Sequence, residues 1–156
     1  LILFGFGWAK PVPVDSRYFK KPRRDMAITA LAGPVSNLLA ALVGAFLVAL
    51  MASFAPYNGF TQFLYNVFYY YVVVNISLAV FNLIPMPPLD GSRIVAAFLS
   101  SRALYTYYRY QNVFVMAMFL LMFSGALSGP LYTAQSFFAR IIFSLAEAPF
   151  RLFGVL

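Results

Sequence analysis

An aspartate stands eight residues after an asparagine, behind a turn stiffened by proline: Asn82-Leu-Ile-Pro-Met-Pro-Pro-Leu-Asp90-Gly91. Asp90 is one of only 4 acidic residues in 156, and it follows a long apolar run. An ionised carboxylate at the edge of hydrocarbon is costly unless a metal, a partner charge or water compensates it. Pro85, Pro87 and Pro88 withhold backbone donors and restrict the chain, while Gly91 admits a close approach that other residues resist. A carboxylate held in a defined place is what a metal site needs. The residues alone leave three roles open. Asp90 could cap a helix starting at Ser92, its charge favoured by that N-terminus. It could bind a metal or handle a proton, or it could pair with Arg93.

The elements that position Asp90 are dictated by composition. The chain is 63% hydrophobic and 10% charged, whereas a soluble domain carries about 25% charge. The bilayer is the better solvent for such a chain. It contains neither cysteine nor histidine, which excludes disulfides and any thiolate or imidazole ligand from within it. The net charge of +7 comes mostly from Lys10, Arg17, Lys20, Lys21, Arg23 and Arg24. A nucleic-acid footprint would need a soluble basic face. Here the cluster runs straight into an apolar stretch, so cytoplasmic retention and attraction to anionic headgroups explain it, and no nucleic-acid partner is expected.

No charged residue appears from Met26 to Ser53. As a helix this stretch would reach about 42 Å, more than the hydrocarbon core of about 30 Å requires. Asp25 is positioned to cap it, and Pro34 to kink it. Gly33, Pro34, Ser36 and Asn37 suit close helix packing. Phe63 to Leu83 forms a second span, its start marked by Tyr65, Tyr69, Tyr70 and Tyr71 as an interfacial belt. Asn75 and Asn82, seven apart, share one face that should turn into the protein. Ser92 to Leu104 follows as one short helix. Val113 to Leu127 is a third apolar run, and Leu131 to Leu156 is either amphipathic or a weak fourth span, interrupted by Arg140, Glu147, Pro149 and Arg151. The fold expected is an all-α polytopic membrane protein of three to four transmembrane helices. A short extended Gly/Pro segment, with Gly5, Gly7, Pro11 and Pro13, lies near its N-terminus. Charge places loop 10–24 and Asp90 toward the cytoplasm and loop 54–62 outside.

Four strings carry a resemblance: Phe6-Gly-Trp-Ala-Lys-Pro-Val-Pro-Val14, Pro22-Arg-Arg-Asp-Met26, Ala32-Gly-Pro-Val-Ser-Asn37 and Asn82 to Gly91. Together they resemble the site-2 protease family of intramembrane zinc metalloproteases, in the family's order and over about residues 1 to 100. The resemblance implies a zinc-dependent, multi-pass endopeptidase of a bacterial cell membrane, acting on membrane-spanning protein substrates near the cytoplasmic face in regulated intramembrane proteolysis. It implies that Asp90 is a metal ligand for Zn2+, and that Asn82 positions substrate or steadies the tetrahedral intermediate. Val12, Pro13 and Val14 would lie in extended structure beside the active site, where an edge could pair with substrate. Gly33, Pro34 and Asn37 match a helix-packing motif. Residues 1–130 are then the C-terminal part of the protease core, and 131–156 an amphipathic or weak fourth segment.

One departure matters. The family carries His-Glu-x-x-His on an upstream helix, and this chain has no histidine. With no start methionine either, it reads as a piece of a longer protein, inactive alone, with a natural pseudoprotease as the alternative. Two other classes compete. A transporter or channel subunit could line an ion path with Asp90, Asn75 and Asn82, and acidic residues on further helices would favour it. A non-catalytic scaffold would use the small residues 30–37, and would tolerate loss of the Asp90 charge.

Overall fold

The computed structural model describes residues 19–154, which form six helices and, among the described residues, no strand. The extended segment expected at residues 5–14 lies outside them. The order is α1 (Pro22–Phe54), α2 (Gly59–Asn82), α3 (Asp90–Phe98), α4 (Ser101–Arg109), α5 (Gln111–Phe123) and α6 (Ser128–Leu152).

α1 begins four residues earlier than its uncharged stretch suggests. Pro22 occupies the first helical position, where its missing N–H costs nothing. Asp25 does not precede the helix as a cap. It sits inside the first turn and accepts the Lys21 N–H at 3.0 Å. The helix runs on through Pro34 for 33 residues, about 50 Å at 1.5 Å each. α2 also starts early, at Gly59. Asn58 accepts from the N–H groups of Phe60 and Thr61, and the Thr61 hydroxyl accepts from the Asn58 N–H at 3.1 Å. That reciprocal capping box satisfies the first donors of the helix and fixes its start in a polar segment.

α1 and α2 are each long and apolar enough to cross a membrane. α5, at 13 residues, reaches only about 20 Å. Gly125, at φ 73°, ends the helical stretch, and α5 and α6 meet at 85°. Counted as one broken span, that pair raises the total to three. The structure thus holds an all-α membrane protein with two, or up to three, helices of membrane-spanning length. The single helix expected over Ser92 to Leu104 is in fact two. The backbone turns extended at Leu99, and Ser100 restarts the helix by accepting from the Ala103 N–H.

The core lies where α1, α2 and α6 meet, built from Ala41 and Ala45, from Val72, Ile76 and Val80, and from Ile142 and Ala146. Lipid tails are as apolar as leucine, so association in a bilayer depends on close packing and not on escape from water. Small residues one turn apart on α1 provide it. Gly44 lies so close to α2 that an added Cβ would stand 2.8 Å from the Tyr71 ring. The opposite face of α1, with Leu39, Val43, Phe46 and Leu50, is exposed, as a lipid-facing stripe should be.

Candidate functional site

α2 ends at Asn82 because the prolines that follow cannot continue a helix. The chain then folds back on itself. Met86 N–H reaches the Ile84 carbonyl at 2.8 Å, Leu89 N–H reaches the Met86 carbonyl at 3.0 Å, and the Pro87–Pro88 bond is cis. α3 starts at once, with Leu89 as its N-cap and Asp90 as its first residue. Gly91 makes this return possible. A Cβ there would collide with the carbonyls of Leu83 and Ile84, so only glycine lets the start of α3 lie directly on the end of α2.

Three further contacts pin the turn. The buried Ser92 hydroxyl donates to the Leu89 carbonyl at 2.6 Å, and Tyr107 of α4 donates its phenol to the Pro85 carbonyl at 3.1 Å. Burial pushes the Tyr107 phenol above its ordinary pKa, the Ser92 hydroxyl beside it opposing in part and Tyr108 adding to the rise. It therefore stays a neutral donor across the physiological range. Arg23 of α1 ties the far end of α3 by donating to the Leu99 carbonyl at 3.1 Å and the Ser101 hydroxyl at 2.8 Å. Tyr107 was not singled out by sequence reasoning. Its only signal was an aromatic, polar stretch after a short helix.

The Asp90 carboxylate is half-buried and faces α1. Its Oδ2 would stand 3.0 Å from a Cβ added to Gly33, so the missing side chain at Gly33 is what makes room for it. Pro34 beside Gly33 is fully buried, and Asn37, one turn on, is half-buried. The structure thus brings Asp90 together with Gly33 of the packing motif. Asn82 flanks the same turn at its other end and is half-buried. Val12, Pro13 and Val14 lie outside the described residues. Asn75 is half-buried, and its amide donates to the Tyr71 carbonyl of its own helix at 2.8 Å.

Of the three roles the sequence leaves open for Asp90, a side-chain cap and a pair with Arg93 are not seen among the described residues, while its charge still lies in the first turn of α3, where the helix N-terminus favours it. Leu89 is the N-cap, and α3 has no side-chain cap hydrogen bond. Among the described residues, the ion pairs are Arg24 with Asp25 and Arg151 with Glu147, not Arg93 with Asp90. Asp25 and Glu147 each have a charged partner, and Asp90 has none among the described residues. A half-buried carboxylate with no ionic partner among the described residues is a candidate ligand or proton carrier. It does not make a zinc site by itself. Catalytic zinc takes three protein ligands, and no group of three candidate ligands exists among the described residues.

Residues 58–125 match the model of Peptidase family M50, a stretch that contains Asn82, the proline turn and Asp90. The match covers less than half of the chain and makes it similar to that peptidase family over this stretch. The Bacillus subtilis (strain 168) protein named "Putative zinc metalloprotease YwhC" is 44% identical over 97 residues, which are 61% of this chain and 44% of that protein. The chain thus spans less than half the length of this relative. No solved structure matches it.

Proposed function

We propose that the protein acts as a zinc-dependent intramembrane endopeptidase, with Asp90 donating one carboxylate to a metal whose other ligands come from outside the described residues. The carrying observation is that Asp90 is locked beside Gly33 with neither a capping bond nor a described ionic partner. In this reading Asn82, at the other end of the same turn, orients a substrate carbonyl or steadies the tetrahedral intermediate. Val12, Pro13 and Val14 bind a locally unwound substrate in this reading, and Gly33, Pro34 and Asn37 seat α1 against the turn. Residues 1–130 belong to the protease core and 131–156 form an amphipathic or weak fourth segment that packs on α1 and α2, with a third and fourth crossing built from α5 and α6. The substrate is a membrane-spanning protein, cut near the cytoplasmic face of a bacterial membrane, with loop 10–24 and Asp90 on that side.

The test is proteolysis of a membrane-spanning reporter by the intact protein in liposomes. Cleavage should stop on chelation and return with zinc. Cleavage that ignores chelation would reject the metal assignment, and zinc-independent ion flux through the same liposomes would favour the transporter reading.

Gly33→Ala gives a finer check. Alanine gains about 1 kcal/mol over glycine in a helix interior, so stability should hold or rise. The new methyl meets Asp90 Oδ2 at 3.0 Å, which forces the carboxylate away by a few tenths of an ångström. Cleavage by the intact protein should fall about tenfold, since misplacement near 1 Å can cost about 100-fold. Unchanged cleavage would mean that the Asp90 position is not critical.

A further inference from the structure

A groove of about 730 Å3 opens between the start of α1 and the end of α3, and Asp90 is not part of its lining. Its α1 wall is a single stripe: Lys21, Arg24, Ile28 and Leu31 recur at helical spacing, basic at one end and aliphatic below. Phe98 of α3 forms the facing wall and is 85% exposed, and Ile28 is 55% exposed. Arg23 at the rim is spent on the Leu99 carbonyl and the Ser101 hydroxyl, which fixes the separation of the two walls. Arg24 shares its Nε with Asp25 at 3.3 Å, and among the described residues the Lys21 ammonium makes no side-chain hydrogen bond or ion pair.

We infer that this groove is a binding site for one anionic phospholipid, its phosphate between Lys21 and Arg24 and an acyl chain along Ile28, Leu31 and Phe98. The occupant follows from charge and polarity together. The rim calls for an anion, and the floor is aliphatic and aromatic where α1 enters the bilayer. A soluble phosphate would satisfy the rim and leave the floor wet, whereas a zwitterionic lipid would satisfy the floor and leave the rim charge unanswered. The site lies where α1 is tied to the α3–α4 junction, so an occupied groove would brace the helix that carries Gly33.

The experiment uses the intact protein with Phe98→Trp as reporter, in a background where Trp8 and any tryptophan elsewhere in the protein are replaced by Phe, in nanodiscs of phosphatidylcholine. Quenching is compared for phosphatidylglycerol and phosphatidylcholine carrying brominated acyl chains at equal mole fraction. The expected result is preferential quenching by the anionic lipid, unaffected by excess inorganic phosphate. Lys21→Gln with Arg24→Gln should cut that preference by at least about fivefold, given about 1 kcal/mol per basic residue near an anionic surface. Lys20→Gln, an exposed charge outside the groove lining, should leave it intact. Equal quenching by both lipids would overturn the site. So would an equal loss in Lys20→Gln, which would reduce the effect to diffuse surface potential, and so would displacement by phosphate.

Discussion

Gly91→Ala should unfold the turn that carries the site, although alanine is the better helix former. Two effects oppose each other at this position. Gly91 is the second residue of α3, and helix propensity favours alanine by up to about 1 kcal/mol. The added methyl, however, runs into the backbone carbonyls of Leu83 and Ile84. Overpacking of this kind costs about 1–3 kcal/mol even where side chains can yield, and here the obstacle is backbone already held by the turn. Sterics should win, with a net loss of about 2 kcal/mol or more. Denaturation in mixed micelles, followed by circular dichroism, would read it. Gly59→Ala is the internal control. It sits at the first position of α2 with nothing within 4 Å of the new methyl, so it should match or exceed the native midpoint. If Gly91→Ala also matched it, the close approach of α3 to the end of α2 would be disproved.

Asp90→Asn should have the opposite profile: near-native stability and almost no activity. An N-cap carboxylate would cost about 0.5–2 kcal/mol on removal. Asp90 is not the cap, since Leu89 holds that position without a side-chain bond, and no described residue pairs with its charge. Asparagine keeps its size and loses only the favourable charge of a first-turn acid, so the unfolding free energy should fall by no more than about 1 kcal/mol. Cleavage by the intact protein should fall by more than about 100-fold, because even the hydrogen-bonded supports of metal ligands cost 10–100-fold on removal. A stability loss with retained cleavage would return Asp90 to the capping role.

The contrast between these two variants reflects what could be read in the sequence. The spans were legible because uncharged length is a nearly sufficient signal in a bilayer, as Met26 to Ser53 illustrates. Their starts were misjudged for local reasons. Pro22 and the Asn58–Thr61 capping box both set helix ends in polar segments, where hydropathy is silent. The break between α3 and α4 depended on one serine cap at Ser100, which a run of helix formers masks. Asp90 and Gly91 were visible as an improbable carboxylate beside a permissive glycine. The partnership of Asp90 with Gly33 was not, because 57 residues separate them and only the packing of α3 on α1 unites them. Tyr107 was hidden for the same reason: its phenol reaches the Pro85 carbonyl only once the turn exists.

The most direct measurement is the zinc affinity of the intact protein, native against Asp90→Ala, by competition with a chelator of known affinity. The native protein should bind about one zinc per chain, as a catalytic site does, and the variant should bind it at least about 100-fold more weakly while keeping its native helix content. Equal affinities in the two proteins would mean that the Asp90 carboxylate does not touch the metal.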